Sequence, residues 1–110
     1  VRDTAGEIVL KYGTLVAANG DVTALAADEF QVEATGTWVS PRTGAAYPSG
    51  WRLSIPRLDL SLALTPVVLY AEFDSRDTTQ NYYWEGEVTG TGRQGAESRS
   101  AVGFVELVGY

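Results

Sequence analysis

A chain of 110 residues, 45% of them hydrophobic, has the size and composition of one globular domain, and no apolar run approaches the roughly 20 residues of a membrane-crossing helix. The net charge is −6 and the basic residues, Arg2, Lys11, Arg42, Arg52, Arg57, Arg76, Arg93 and Arg99, are scattered, which argues against nucleic acid and against anionic lipid as partners. Without Cys, His or Met the chain has no Cys/His metal site, His-ligated haem, Ser-His-Asp triad or thiol nucleophile; no metal or cofactor is expected, and acid–base chemistry falls to Asp, Glu, Tyr and the single Lys11.

The chain begins at Val1 without an initiator Met or a signal-like segment, as expected of a trimmed N-terminus. Apolar residues recur with a period of two, and helical periodicity is nearly absent. Glu7–Ala17 is rich in β-formers, Asn19-Gly20 is the pair favoured in a tight hairpin turn, and Asp21–Leu25 reads as the return strand. Ala24–Asp28 has room for one helical turn. Glu29–Thr35 alternates, with Phe30, Val32 and Ala34 on one face. Gly36–Gly50, with two prolines, three glycines, Trp38 and Tyr47, reads as an ordered loop.

Trp51–Ile55 alternates and ends at Pro56, which has no N–H to give a ladder. Leu58, Leu60, Leu62 and Leu64 define a half-buried strand stopped by Pro66, with Leu60, Leu62 and Leu64 facing one core with Leu53 and Ile55. Val67–Asp74 reads as a further strand and Ser75–Asn81 as a polar loop. Tyr82–Gly90 and Ser100–Tyr110 form a last hairpin joined around Arg93-Gln94-Gly95. About eight strands at this spacing predict an all-β antiparallel barrel or sandwich, and closure into a barrel suits a chain with so little Lys to guard its strand edges.

Two constellations stand out for chemistry. Trp38, Tyr47 and Trp51 lie within fourteen residues that also hold Pro41 and Pro48. They read either as a rigid plug of rings at one barrel end or as the rim of a ligand pocket. The second constellation is a Tyr/Glu face repeated on three strands: Tyr70 with Glu72, Tyr83 with Glu85, and Phe104, Glu106, Val108 and Tyr110 together. If those faces align, Glu72, Glu85 and Glu106 gather among tyrosines, where a carboxyl can serve as a general acid; otherwise they are the solvated side of a half-buried sheet. A buried Glu85 or Glu106 would need a Tyr or Trp donor. Gly90-Thr-Gly92-Arg93-Gln94-Gly95 fits a dinucleotide-loop spacing but has no following helix, and Asp28, Asp74 and Asp77 lack the spacing of a calcium loop.

The order W-x-S-P-x-x-G-x-x-Y-P-x-x-W (38–51), L-x-L-x-L-x-P (60–66), Y-W-E-G (83–86) and F-V-E-L-x-G-Y (104–110) resembles the lipocalin-like carotenoid hydratase family, the hydroxyneurosporene synthase-like group that includes predicted secreted hydrolases. The resemblance implies a single lipocalin-like (calycin-like) barrel over residues 1–110, corresponding to the C-terminal half of a two-barrel architecture, and a secreted or periplasmic setting. It implies an apolar small-molecule ligand and, as partner, a second such barrel or a second copy in a homodimer. On that reading Glu85 and Glu106 are the candidate catalytic acids for hydration or cyclisation. Trp38, Tyr47, Trp51, Glu72, Tyr83, Trp84 and Tyr110 are the candidate substrate-binding residues. The alternative is a non-catalytic ligand-binding or domain-interaction module, in which the same carboxylates anchor structure.

Overall fold

Residue 5 and residues 7–110 are described in the computed structural model; Val1 and Arg2, and with them the reading of a trimmed start, lie outside the described residues. Among the described residues ten strands follow one another: β1 (Gly13–Val16), β2 (Val22–Leu25), β3 (Gln31–Ala34), β4 (Thr37–Val39), β5 (Ala46–Pro48), β6 (Trp51–Ile55), β7 (Leu60–Pro66), β8 (Glu72–Asp74), β9 (Tyr82–Gln94) and β10 (Glu97–Val108). A 3-10 turn over Pro56–Leu58 separates β6 from β7, where Pro56 ends the ladder as its missing N–H requires. The main sheet runs β10-β9-β7-β6-β3, antiparallel throughout. Strand β8 takes the part of the β9 edge that β7 does not reach. The sheet curls into a half-barrel, all-β and antiparallel as the alternation predicts, and of the lipocalin-like form that the family resemblance implies.

The Asn19-Gly20 turn joins β1 to β2 as expected, Asn19 Oδ1 accepting the Asp21 N–H at 3.1 Å. Where Ala24–Asp28 has room for a helical turn, Ala24 and Leu25 instead complete β2 and residues 26–29 make a turn: the Glu29 N–H bonds the Ala26 carbonyl, and the Glu29 carboxylate accepts the Ala26 N–H. Gly36–Gly50 is not a loop. It is the far end of a hairpin whose near end is β3 and β6, for the register linking Gln31 with Ser54 continues unbroken to that linking Val39 with Ala46. Between them the Thr35 N–H bonds the Gly50 carbonyl and the Ser49 N–H bonds the Gly36 carbonyl. Gly50 sits at φ 77°, and a Cβ on Gly36 would fall 2.7 Å from the Ser49 oxygen, so the two glycines form a bend that composition alone reads as a break. Of Val67–Asp74 only Glu72–Asp74 pairs; after Pro66 the chain crosses over, its Val67 N–H bonding the Glu87 carbonyl.

Leu53, Ile55, Leu60, Leu62 and Leu64 share the concave face, with Leu53 opposite Leu62 and Ile55 opposite Leu60. The densest packing is Tyr47, Trp51, Trp84 and Val88 with Ala45. Along β9 the concave positions run Trp84, Gly86, Val88, Gly90, Gly92. A Cβ on Gly90 would meet the Leu64 side chain at 2.7 Å, and one on Gly92 the Ser61 carbonyl oxygen at 1.9 Å. Hydrogens at those positions let β7 approach closely and the sheet curl. At Gly86 the bare backbone is roofed by the Trp84 ring, whose Nε1–H donates to the Leu69 carbonyl at 2.7 Å.

Candidate functional site

The curl leaves an apolar groove of about 430 Å³ on the concave side. Trp51, Leu53 and Leu64 form its floor, and Val105 and Leu107 of β10 one wall. Phe30, Val32 and Ala34 form the other wall, the three residues that alternation places on one face. Ile8 and Leu10 border it from the N-terminal segment and, with Val32, are each more than half exposed. Its polar side chains are Lys11 and Tyr110. Large aliphatic side chains held open to water in a concavity of this size are what burial of an apolar ligand would relieve.

Next to the groove, joined to it through the contact of the groove residue Tyr110 with Tyr47, lies a cluster built on Glu72. The β4–β5 turn begins at Ser40, which is 1% exposed and whose Oγ accepts the N–H groups of Arg42 and Thr43. The same hydroxyl donates to Glu72 Oε2 at 2.6 Å, while Thr43 Oγ1 and Tyr47 Oη donate to Glu72 Oε1 at 2.5 and 3.0 Å. Burial works to raise the Glu72 pKa, but the hydrogen bonds from Ser40, Thr43 and Tyr47 outweigh it and hold the carboxyl below its usual range. The Tyr47 phenol, buried and bonded to that anion, is pushed well above its usual value. Beside it Asp74 is held down to about 2, chiefly by the bidentate Arg76 guanidinium, with Arg42 at 3.3 Å adding to the effect. An ionised carboxylate with three hydroxyl donors ties β8 to the β4–β5 turn, and it has no proton to give.

The rings link cluster and groove. Trp38 stacks on Tyr47 with centroids 5.9 Å apart, Tyr70 meets Trp38 edge-on at 5.5 Å, and Tyr110 lies 5.9 Å from Tyr47. Of the Trp38–Trp51 stretch, Tyr47 is packed inside at 1% exposure, and Trp51 lines the groove. Trp84 lies beneath Trp51, centroids 6.1 Å apart, and is 3% exposed, so it supports the floor without lining it.

The three Tyr/Glu faces do not align. Glu72 is opposite Trp84 on the concave side, whereas Glu85 and Glu106 stand directly opposite each other on the convex side. Glu106 is exposed and Glu85 half-buried, and neither is bonded to a Tyr or Trp donor, so the expected buried acid is not there. Tyr83 is also convex, 5.3 Å from Phe73. Tyr110 parts from Phe104, Glu106 and Val108 because Gly109, at φ 83°, turns the chain and brings the ring to the concave side. Sequence reasoning missed Ser40 and Thr43 as partners of Glu72, and Lys11 and Phe30 as groove residues. For the first pair the S-P-x-x-G turn was the available signal, since Ser before Pro favours turn initiation.

A family model described as AttH-like matches residues 1–110. Among solved structures the chain is similar to an AttH protein of Nitrosomonas europaea, 31% identical with a TM-score of 0.83 over 99% of this chain and 32% of that one. It is also similar to kievitone hydratase of Nectria haematococca, 23% identical with a TM-score of 0.70 over 88% of this chain and 29% of that one, a likeness of fold alone. The chain thus spans about a third of the length of these two proteins. No curated protein matches it.

Proposed function

The chain belongs to the AttH-like family, in keeping with the hydratase-type motifs of its sequence, and from that premise we propose that it binds an apolar organic molecule along the concave face of its half-barrel. The observation that carries this reading is the groove itself: about 430 Å³, floored by Trp51, Leu53 and Leu64 and flanked by aliphatic side chains left open to water. Titration with the apolar fluorophore N-phenylnaphthylamine should show saturable enhancement, and Val32→Asp, at a half-exposed wall position, should abolish it with the fold intact by circular dichroism. Absence of saturable binding, or binding indifferent to that charge, would refute the reading.

A second reading adds catalysis on the convex face. Like charges directly opposite each other on a sheet cost stability, so the Glu85–Glu106 pair invites a role outside the fold, such as acting together on a substrate that a partner presents. On this reading the protein has hydratase activity, and exchanging both for Gln should abolish it while leaving fluorophore binding in the groove unchanged; retained activity would remove them from the site. The partner itself is proposed to be a second lipocalin-like barrel or a second copy. Strand β10 offers twelve residues with one edge unpaired among the described residues, and beside it Val102, Phe104 and Val108 are 75%, 67% and 53% exposed. Sedimentation equilibrium should report association that Phe104→Lys weakens, and a strict 11.8 kDa species that ignores an added barrel would exclude this surface.

A further inference from the structure

The polar side chains of an otherwise apolar trough restrict what the trough can hold, and here one of them is a cation. Lys11 is the chain's single lysine. Its Nζ donates to the Phe30 carbonyl oxygen and lies 4.6 Å from the centre of the Phe30 ring, which fixes the ammonium at the groove. One of its three N–H donors is used there, and two remain. Among the described residues Arg42, Arg52, Arg57, Arg76 and Arg99 each stand beside a carboxylate; Lys11 and Arg93 do not, and of those two only Lys11 lines the groove. Among the described residues no Asp or Glu lines the groove. We propose that the ligand is a long-chain amphiphile with a carboxylate head, its head on Lys11 and its hydrocarbon along the trough; the proposal rests on the groove being the binding site.

The length follows from the sheet. Phe30 adjoins the first residue of β3, and Tyr110 lies against Tyr47, which is paired with Trp38 at the other end of the same hairpin. From residue 30 to residue 38, at about 3.3 Å per residue less the curl, head and tail ends are separated by on the order of 20 Å. A compact ligand would leave one end of that trough wet, and an extended chain fills it. The overall charge of −6 opposes an anion only at range, and at physiological salt that repulsion is screened beyond about 8 Å.

Comparing cis-parinaric acid with its methyl ester, by the fluorescence each gains on binding, isolates the head group while keeping the chain. The acid should bind at least about tenfold tighter than the ester, the scale of one charge-assisted hydrogen bond. Lys11→Met should bring the acid down to the affinity of the ester and leave the ester unchanged, which also shows the variant is folded. Lys11→Arg should keep the preference. Equal binding of acid and ester to the native protein, or an acid preference that survives Lys11→Met, overturns the head-group assignment and leaves the groove reading standing. Failure of both to bind overturns both.

Discussion

Replacing Glu72 by Ala removes the common acceptor of three hydroxyls. Hydrogen bonds to a charged group net about 1.5–3 kcal/mol each, but the three share one carboxylate and do not add. Thr43 is half-buried and its hydroxyl can turn to water, whereas Ser40 and Tyr47 are each 1% exposed and cannot. Counting mainly those two, Glu72→Ala should cost about 3–4 kcal/mol, a fall in Tm on the order of 15 °C for a domain of this size. The sharper test is the cycle with Tyr47→Phe. In the native background that change loses a bond to an anion and should cost about 1–2 kcal/mol. In the Glu72→Ala background the Tyr47 hydroxyl has no acceptor and no water, so its removal should be neutral or stabilising. Urea unfolding of the four proteins, followed by far-UV circular dichroism, supplies the coupling energy. A Tyr47→Phe cost equal in the two backgrounds would refute the account of the cluster.

Leu62→Ala, at a buried concave position, should cost about 2–5 kcal/mol in the same unfolding assay, and an unchanged midpoint would mean the β7 register is wrong. Gly86→Ala places a Cβ 3.0 Å from Trp84 and 3.3 Å from Ala71. Trp84 is pinned by its bond to Leu69 and cannot yield, so a loss of about 1–3 kcal/mol and a changed near-UV spectrum are expected. Glu72 and Asp74 have folded pKa values below their ordinary 4.5 and 3.8; their stabilisation is therefore complete above those values and lost as pH falls through the folded ones, towards about 2 for Asp74. Tm measured against pH should hold level down to about 4.5 and then decline, and Glu72→Ala should flatten that decline. Tyr47 works in the other direction: its raised pKa gives stability that is whole below the ordinary 10 and lost as pH climbs beyond it.

Alternation was enough to read the concave face, because Leu53, Ile55, Leu60, Leu62 and Leu64 leave a single register that buries them. The Asn19-Gly20 turn and the two halves of the last hairpin were legible for the same local reasons. What failed was non-local. Gly36 and Gly50 look like punctuation until they are seen opposite each other in one bend. The Tyr/Glu repeat holds only within the paired strands, at Tyr83 with Glu85 and at Phe104, Glu106 and Val108. Which faces coincide depends on the crossover at Val67–Ala71, which puts Glu72 on one side and Glu85 with Glu106 on the other. Glu72's partners Ser40 and Thr43 lie 32 and 29 residues away, beyond the reach of any periodic pattern. Lys11 gave no sequence signal beyond being alone, since a half-buried lysine is recognised only by what surrounds it.

The unbroken register of the bent hairpin has a consequence for how the molecule resists error. A β-ribbon is most prone to slip where its strands are short, and the segments on either side of the bend, four and three residues long on the first strand, are short enough to do so singly. Because they are two halves of one ladder, a slip in either must drag the other. The distal half is clamped by the Tyr47 and Ser40 hydroxyls on Glu72, so moving it by one residue would strand an anion as well as invert a face. The knot at the end of the ribbon thus acts as a ratchet pawl for the proximal half, keeping Trp51 and Leu53 turned inward. Loosening it should blur that alignment before it unfolds the chain.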